Sequence, residues 1–93
     1  MVYGINMPSA FTPDKDGLND IFRVKYPFPV KQFQMRIYNR WGQKIFETTD
    51  INKGWNGTYK GWNAAIGAYV WTISLTDAEG KTQSMHGTVT LIR

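Results

Sequence analysis

Phe33-Gln34-Met35-Arg36-Ile37-Tyr38-Asn39-Arg40-Trp41-Gly42-Gln43-Lys44-Ile45-Phe46 is the stretch that decides the fold. In its first half Phe33, Met35 and Ile37 fall on one side and Gln34, Arg36 and Tyr38 on the other. That period of two is the signature of a strand with one buried face. Asn39-Arg40-Trp41-Gly42 reads as a type I turn, with Asn at its first position and Gly at its last. A left-handed residue after such a turn closes a three-residue hairpin loop with a G1 bulge, and Gly42 enters that region without a Cβ clash. Gln43 to Thr48 then returns as the second strand of a β-hairpin.

Outward from this hairpin the same grammar recurs. Val2 to Ile5 is expected to be a short edge strand and Ile21 to Tyr26 a second strand. Trp55-Asn56-Gly57-Thr58-Tyr59-Lys60-Gly61 joins an Asn-Gly turn to a short strand, and Trp62 to Gly67 reads as a connection. In Ala68 to Thr76, Tyr69, Trp71, Ile73 and Leu75 take one face while Val70, Thr72, Ser74 and Thr76 take the other. Asp77-Ala78-Glu79-Gly80 repeats the turn pattern of Asn39 to Gly42, an Asx residue first and a glycine last. The chain comes back as Thr82 to Ile92, where Met85, Val89 and Leu91 share a face. No segment shows a helical period bounded by caps. About seven strands at roughly 8–12-residue spacing predict an all-β, Ig-like or fibronectin-like antiparallel sandwich.

Composition narrows the classes. Ninety-three residues suit a single domain, and an aromatic content of 15% supplies material for a small core. The absence of cysteine excludes a disulfide framework and a cysteine-based zinc finger. The net charge of +4 is spread along the chain without a basic run, so no nucleic-acid footprint is visible. No apolar stretch approaches the roughly 20 residues of a membrane span, and no signal peptide is evident. The expectation is a cytosolic protein or a domain excised from a larger exported one.

An enzyme is not expected. His86 is the only histidine, and Glu47 and Glu79 fall in unrelated segments. The best metal candidate is the loop Asp14-Lys15-Asp16-Gly17-Leu18-Asn19-Asp20, where Asp14, Asp16, Asn19 and Asp20 offer oxygen ligands of the kind calcium takes. Its spacing is not that of an EF-hand, and an Asx-stabilised turn accounts for it at least as well. Otherwise no cofactor is implied. Among the tryptophans, Trp71 belongs with the core, and Trp55 beside Gly54 and Gly57 reads as a plug at the sandwich edge. Trp41 at a turn and Trp62 in a connection are candidates for exposure. With Tyr59 they form the alternative reading, a carbohydrate- or surface-binding module with a glycan as ligand.

Five motifs occur in order: Phe11-Thr12-Pro13 with Asp16-Gly17-Leu18-Asn19-Asp20; Ile37-Tyr38-Asn39-Arg40-Trp41-Gly42; Gly54-Trp55-Asn56-Gly57-Thr58-Tyr59-Lys60-Gly61; Gly67-Ala68-Tyr69-Val70-Trp71; and Gly87-Thr88-Val89-Thr90-Leu91-Ile92-Arg93. From Met7 to Arg93 the chain resembles the gliding motility-associated C-terminal domain of Bacteroidetes, the type B sorting domain of the type IX secretion system. The resemblance implies a non-catalytic β-sandwich at the C-terminus of an exported protein. Such a domain folds in the periplasm, directs passage through the outer-membrane translocon, and leaves its cargo at the cell surface or in the medium. It also implies an outer-membrane partner of the PorP/SprF type. Three departures stand out: Asp14-Lys15-Asp16-Gly17 replaces the family's usual Asn-Gly-Asp-Gly, Asn56 stands where the family often has Asp, and Trp62 to Ile66 replaces a proline-containing segment.

A sorting signal must be read on the domain itself. The residues expected to meet a partner are Val89, Thr90, Leu91, Ile92 and Arg93, whose strand is expected to present an open edge for strand addition, and Arg40 at its turn tip. Asn39, Trp41, Gly42, Gly54, Trp55, Gly57, Gly67, Tyr69 and Gly87 are read as structural signature positions, the glycines serving backbone geometry and Trp55 and Tyr69 serving packing.

Overall fold

The hairpin predicted at Phe33 to Phe46 lies inside a five-stranded sheet. The computed structural model describes residues 7, 9–13, 21–24 and 29–92. Its strands are β1 (Ala10–Phe11), β2 (Val30–Tyr38), β3 (Lys44–Thr48), β4 (Thr58–Tyr59), β5 (Trp62–Asn63), β6 (Gly67–Asp77) and β7 (Thr82–Leu91). The large sheet has the order β1-β7-β6-β2-β3, and β4 and β5 pair separately as a small hairpin. The fold is all-β and sandwich-like, and helix is absent among the described residues.

Alternation places the side chains as the sequence predicts. Phe33, Met35 and Ile37 of β2 are buried, as are Tyr69, Trp71, Ile73 and Leu75 of β6 and Val89 and Leu91 of β7. Phe11, Phe22, Val24 and Trp55 complete the same core. The two predicted turns are built alike. Gly42 N–H donates to the Asn39 carbonyl at 3.0 Å, and Gly80 N–H donates to the Asp77 carbonyl at 3.0 Å. Asn39 Oδ1 accepts from the N–H groups of Trp41 and Gln43, and Asp77 Oδ1 accepts from those of Glu79 and Lys81. Gly42 and Gly80 sit at φ +80° and +88°. An Asx side chain that locks two amides and a glycine that takes the left-handed step explain why this four-residue pattern recurs.

Several expectations need correction. Trp62–Asn63 is a strand, not a connection, and it pairs antiparallel with Thr58–Tyr59. Of the strand expected at Ile21 to Tyr26, the described part makes a single bridge, Phe22 with Trp55. The expected strand at Val2 to Ile5 and the candidate calcium loop with Asp14, Asp16, Asn19 and Asp20 lie outside the described residues. Trp55 serves packing as read: it is 1% exposed and lies in the core rather than at the margin. The sheet is also not wholly antiparallel, because β1 runs parallel to β7, with Ala10 opposite Thr90 and Phe11 opposite Leu91. Parallel neighbours need a long crossover. That pairing is therefore set by tertiary packing and leaves no local turn signal.

The free edge of the sheet on the other side is β3. It carries a bulge: Ile37 pairs with Phe46 and Tyr38 with Lys44, so Ile45 is the extra residue. Ile45 is buried and Phe46 packs against the core. On the outer face Arg36 Nε and Lys44 Nζ bind Glu47 at 2.7 and 3.0 Å, and Gln34 Nε2 also donates to it. The hydrogen bond from Arg36, followed by that from Lys44, holds the Glu47 carboxyl below its ordinary pKa. The network is exposed, so it adds little stability. A bulge together with charged side chains guards an edge strand against pairing with other chains.

Gly87 lies directly opposite Trp71 in the β6–β7 register. A Cβ there would come within 2.7 Å of Trp71 Cζ2. The indole is buried in the core and has little room to retreat. Gly87→Ala is expected to lower stability by about 1–3 kcal/mol, the usual cost of overpacking, read as a lower urea midpoint. An unchanged midpoint would mean that the ring moves freely.

Candidate functional site

One end of the sheet gathers the features that a partner can reach. β2 closes at Tyr38 opposite Val70, and β6 begins at Gly67 opposite Leu91. The Asn39 to Gly42 turn, the connection into β6 and the end of β7 therefore meet at the same end. The β4–β5 hairpin is tied there by several hydrogen bonds. Gln43 Nε2 donates to Tyr59 Oη at 3.0 Å, Trp55 Nε1 to the Thr58 carbonyl at 2.8 Å, and Tyr69 Oη to the Ala65 carbonyl at 2.5 Å. Ala64 N–H closes onto the Gly57 carbonyl at 2.8 Å.

Between these segments lies a cavity of about 430 Å³ lined by Arg40, Trp41, Tyr59, Lys60, Trp62 and Ile66, among others. Trp41 is 79% exposed, Trp62 78% and Ile66 63%. Ile92, at the close of β7, is also exposed. Single exposed apolar residues are ordinary, but a cluster on one surface marks an interaction site. The two cations at the rim lie over aromatic rings: the Arg40 guanidinium carbon is 5.1 Å from the Trp41 centroid, and Lys60 Nζ is 5.3 Å from that of Tyr59. Among the described residues no aspartate or glutamate lines the cavity. Lys60 and Gly61 form the two-residue tip between Tyr59 and Trp62, at φ 52° and 84°. Positive φ at both positions is the type I′ geometry of tight hairpins, for which Asn-Gly is the preferred pair.

The residues expected to bind a partner are thus divided. Arg40 sits at the cavity rim. Val89 and Leu91 are fully buried core residues, so their side chains are unavailable to a partner. The open edge expected at the end of β7 is already occupied. Thr90 N–H donates to the Ser9 carbonyl at 2.9 Å and Ile92 N–H to the Phe11 carbonyl at 3.0 Å. The parallel strand β1 takes the donors that strand addition would need. Thr90 and Ile92 keep exposed side chains, and Arg93 lies outside the described residues. Asn39 and Gly42 build the turn that carries Arg40 and Trp41. Gly67 lines the cavity at φ +145°, Gly57 at φ +83° accepts from Ala64 beside it, and Gly54 lies instead against Ile21, Phe22 and Arg23. Lys60 was not singled out from the sequence. Its signal is the Lys-Gly pair between Tyr59 and Trp62, which marks a two-residue hairpin loop once both flanks are read as strands.

Among the described residues no three His, Cys, Asp or Glu side chains converge to hold a metal. His86 lies exposed on the outer face of β7. No helix there is long and apolar enough to cross a membrane.

The sequence matches the CHU_C type IX secretion signal domain over residues 5–91. The chain belongs to this family. The sorting role implied by the motif resemblance is therefore that of the family, and the glycan-binding alternative is not favoured. A comparison with curated proteins finds no match. Among solved structures, the secretion signal domain is similar to CopC from Methylosinus trichosporium OB3b, with a TM-score of 0.63 and 12% identity over 92% of this chain and 84% of that one. At that identity the likeness concerns the fold alone.

Proposed function

We propose that this type IX secretion signal domain is non-catalytic and is read by a protein of the outer-membrane translocon, of the PorP/SprF type, at the end that holds Arg40, Trp41, Trp62, Ile66 and Ile92. The cargo attached to it passes through the periplasm and is exported to the cell surface or the medium. The family match over residues 5–91 carries this reading. The clustering of exposed apolar side chains at one end supports the choice of surface. Recognition of this kind needs no cofactor; calcium held by Asp14, Asp16, Asn19 and Asp20 would be an addition to it.

A reporter with its own signal peptide, fused ahead of residues 1–93, tests the proposal in a host that has the machinery. The parent fusion is expected outside the cell. The double variant Trp41→Ala with Trp62→Ala is expected to remain in the periplasm with its circular dichroism and melting temperature intact. Both side chains are mostly exposed, so their removal leaves the core untouched. A parent fusion retained in the periplasm overturns the sorting role. Normal export of the double variant overturns this surface as the one that is read. Truncation at Leu91 is a poor probe, because it removes a core residue. Ile92→Ser addresses the exposed end of β7 without that loss.

A further inference from the structure

We infer that the cavity beside Trp41 and Trp62 seats an acidic protein segment, one that inserts a single apolar side chain between the two indoles and Ile66 and sets carboxylates against Arg40 and Lys60. This rests on the sorting reading and names the chemistry of the partner at the same site.

Charge argues for it first. Among the described residues the cavity lining offers two cations and no carboxylate. The acidic residues placed by the structure are committed or distant. Glu47 is held by Arg36 and Lys44 on the outer face, Asp50 accepts from the Asn52 N–H in the loop after β3, and Asp77 with Glu79 forms the turn at the opposite end of β6. The positive potential at the rim therefore has no internal partner among the described residues, and it favours an anionic occupant.

Backbone geometry argues for it independently. Lys60 is the one described residue other than glycine at positive φ. A left-handed lysine costs energy that glycine or asparagine would avoid. Strained side chains of this kind concentrate where a binding site needs them. The strain here holds an ammonium group at the cavity rim, over Tyr59. Arg40 reaches the same cavity from a turn fixed by Asn39. Two cations on hairpin tips that line one cavity with exposed apolar side chains suit an extended segment better than a flat membrane surface. The floor of the cavity is concave and receives a side chain, whereas headgroups contact outward-facing charge.

The test uses the complete 93-residue chain and its four tryptophans as reporters. Trp41 and Trp62 are exposed, and Trp55 and Trp71 are buried. The probe is a short synthetic peptide with a central leucine flanked by aspartates, compared with an asparagine version, a lysine version and vesicles of phosphatidylglycerol. In indole N–H spectra the aspartate peptide is expected to shift Trp41 and Trp62 and leave Trp55 and Trp71 in place. Arg40→Gln with Lys60→Gln is expected to weaken binding about ten-fold, as is the asparagine peptide, from the loss of two exposed charge pairs. Equal binding by the asparagine or lysine peptide overturns the inference. So does response to vesicles but not to peptide, which makes the occupant a lipid surface. Concentration-dependent shifts without any peptide also overturn it and make the occupant a second copy of this chain. Export separates this from the sorting role. If the parent fusion is exported and the Arg40→Gln/Lys60→Gln fusion is exported equally, the charge inference fails while sorting stands. If the parent fusion is not exported, the sorting reading itself fails.

Discussion

Trp55→Ala is expected to cost about 3–5 kcal/mol, the range for removing a large buried aromatic side chain, which is a large share of the domain's stability. A domain of this size has only about 5–14 kcal/mol in total. Trp55 is 1% exposed, and its ring lies 5.4 Å from Phe11 and 4.9 Å edge-on from Tyr69. Phe11 in turn sits 5.9 Å from Phe22. Each such pair adds about 0.5–1.5 kcal/mol beyond buried area. The indole N–H also donates to the Thr58 carbonyl at the start of β4. Truncation thus empties the aromatic cluster and frees the hairpin that carries Lys60 and Trp62. Urea denaturation measures the loss, and a change below about 1 kcal/mol would contradict Trp55 as the keystone of the cluster. Trp55→Phe should recover most of the packing but not the tie to Thr58, so it should be stable and still bind poorly at the cavity.

Gly54→Ala is expected to be nearly as damaging, for a different reason. Its Cα faces the bridge between Phe22 and Trp55, where Phe22 N–H donates to the Trp55 carbonyl at 2.8 Å and Trp55 N–H donates back at 2.9 Å. A Cβ at Gly54 would lie 2.5 Å from the Phe22 carbonyl oxygen, 2.5 Å from Ile21 Cγ2 and 2.7 Å from Arg23 Cβ. One of these atoms is backbone, so the clash cannot be relieved by a rotamer change alone. The segments must part, which breaks the bridge and opens the core above Trp55. The expected loss is about 3 kcal/mol or more, at the upper end of overpacking. Gly42→Ala supplies the contrast. Nothing lies within 4 Å of its added methyl group, and only the φ of +80° resists it, so a loss of about 1–2 kcal/mol is expected. If both alanine variants lose the same amount, crowding at Gly54 is not the cause.

These two positions show what the chain discloses on reading and what it withholds. Period-two alternation in β2 and β6 and the twin Asx–glycine turns are local rules, so the central hairpin and the strands around Asp77 to Gly80 were legible residue by residue. Gly54 and Gly87 were recognisable as signature positions but not explicable. Their constraint comes from Phe22 and Trp71, which lie far away in sequence. The parallel pairing of β1 with β7 was invisible for the same reason, and with it the closure of the edge at Thr90 and Ile92. Of the site, Arg40, Trp41 and Trp62 could be picked out singly. Tyr59 could be grouped with the two tryptophans, but nothing local shows that Lys60 joins them, because that depends on the hydrogen bonds from Gln43 to Tyr59 and from Trp55 to Thr58.

The pairing of Ala10 with Thr90 and Phe11 with Leu91 has a temporal consequence. Contacts between such remote positions form late, after the cost of closing a long loop has been met. Phe11, Val89 and Leu91 cannot enter the core together until β7 has been synthesised and has docked. A polypeptide lacking that strand leaves Phe11 without its partner Leu91, so two segments far apart in the chain act together as the clasp that closes the core.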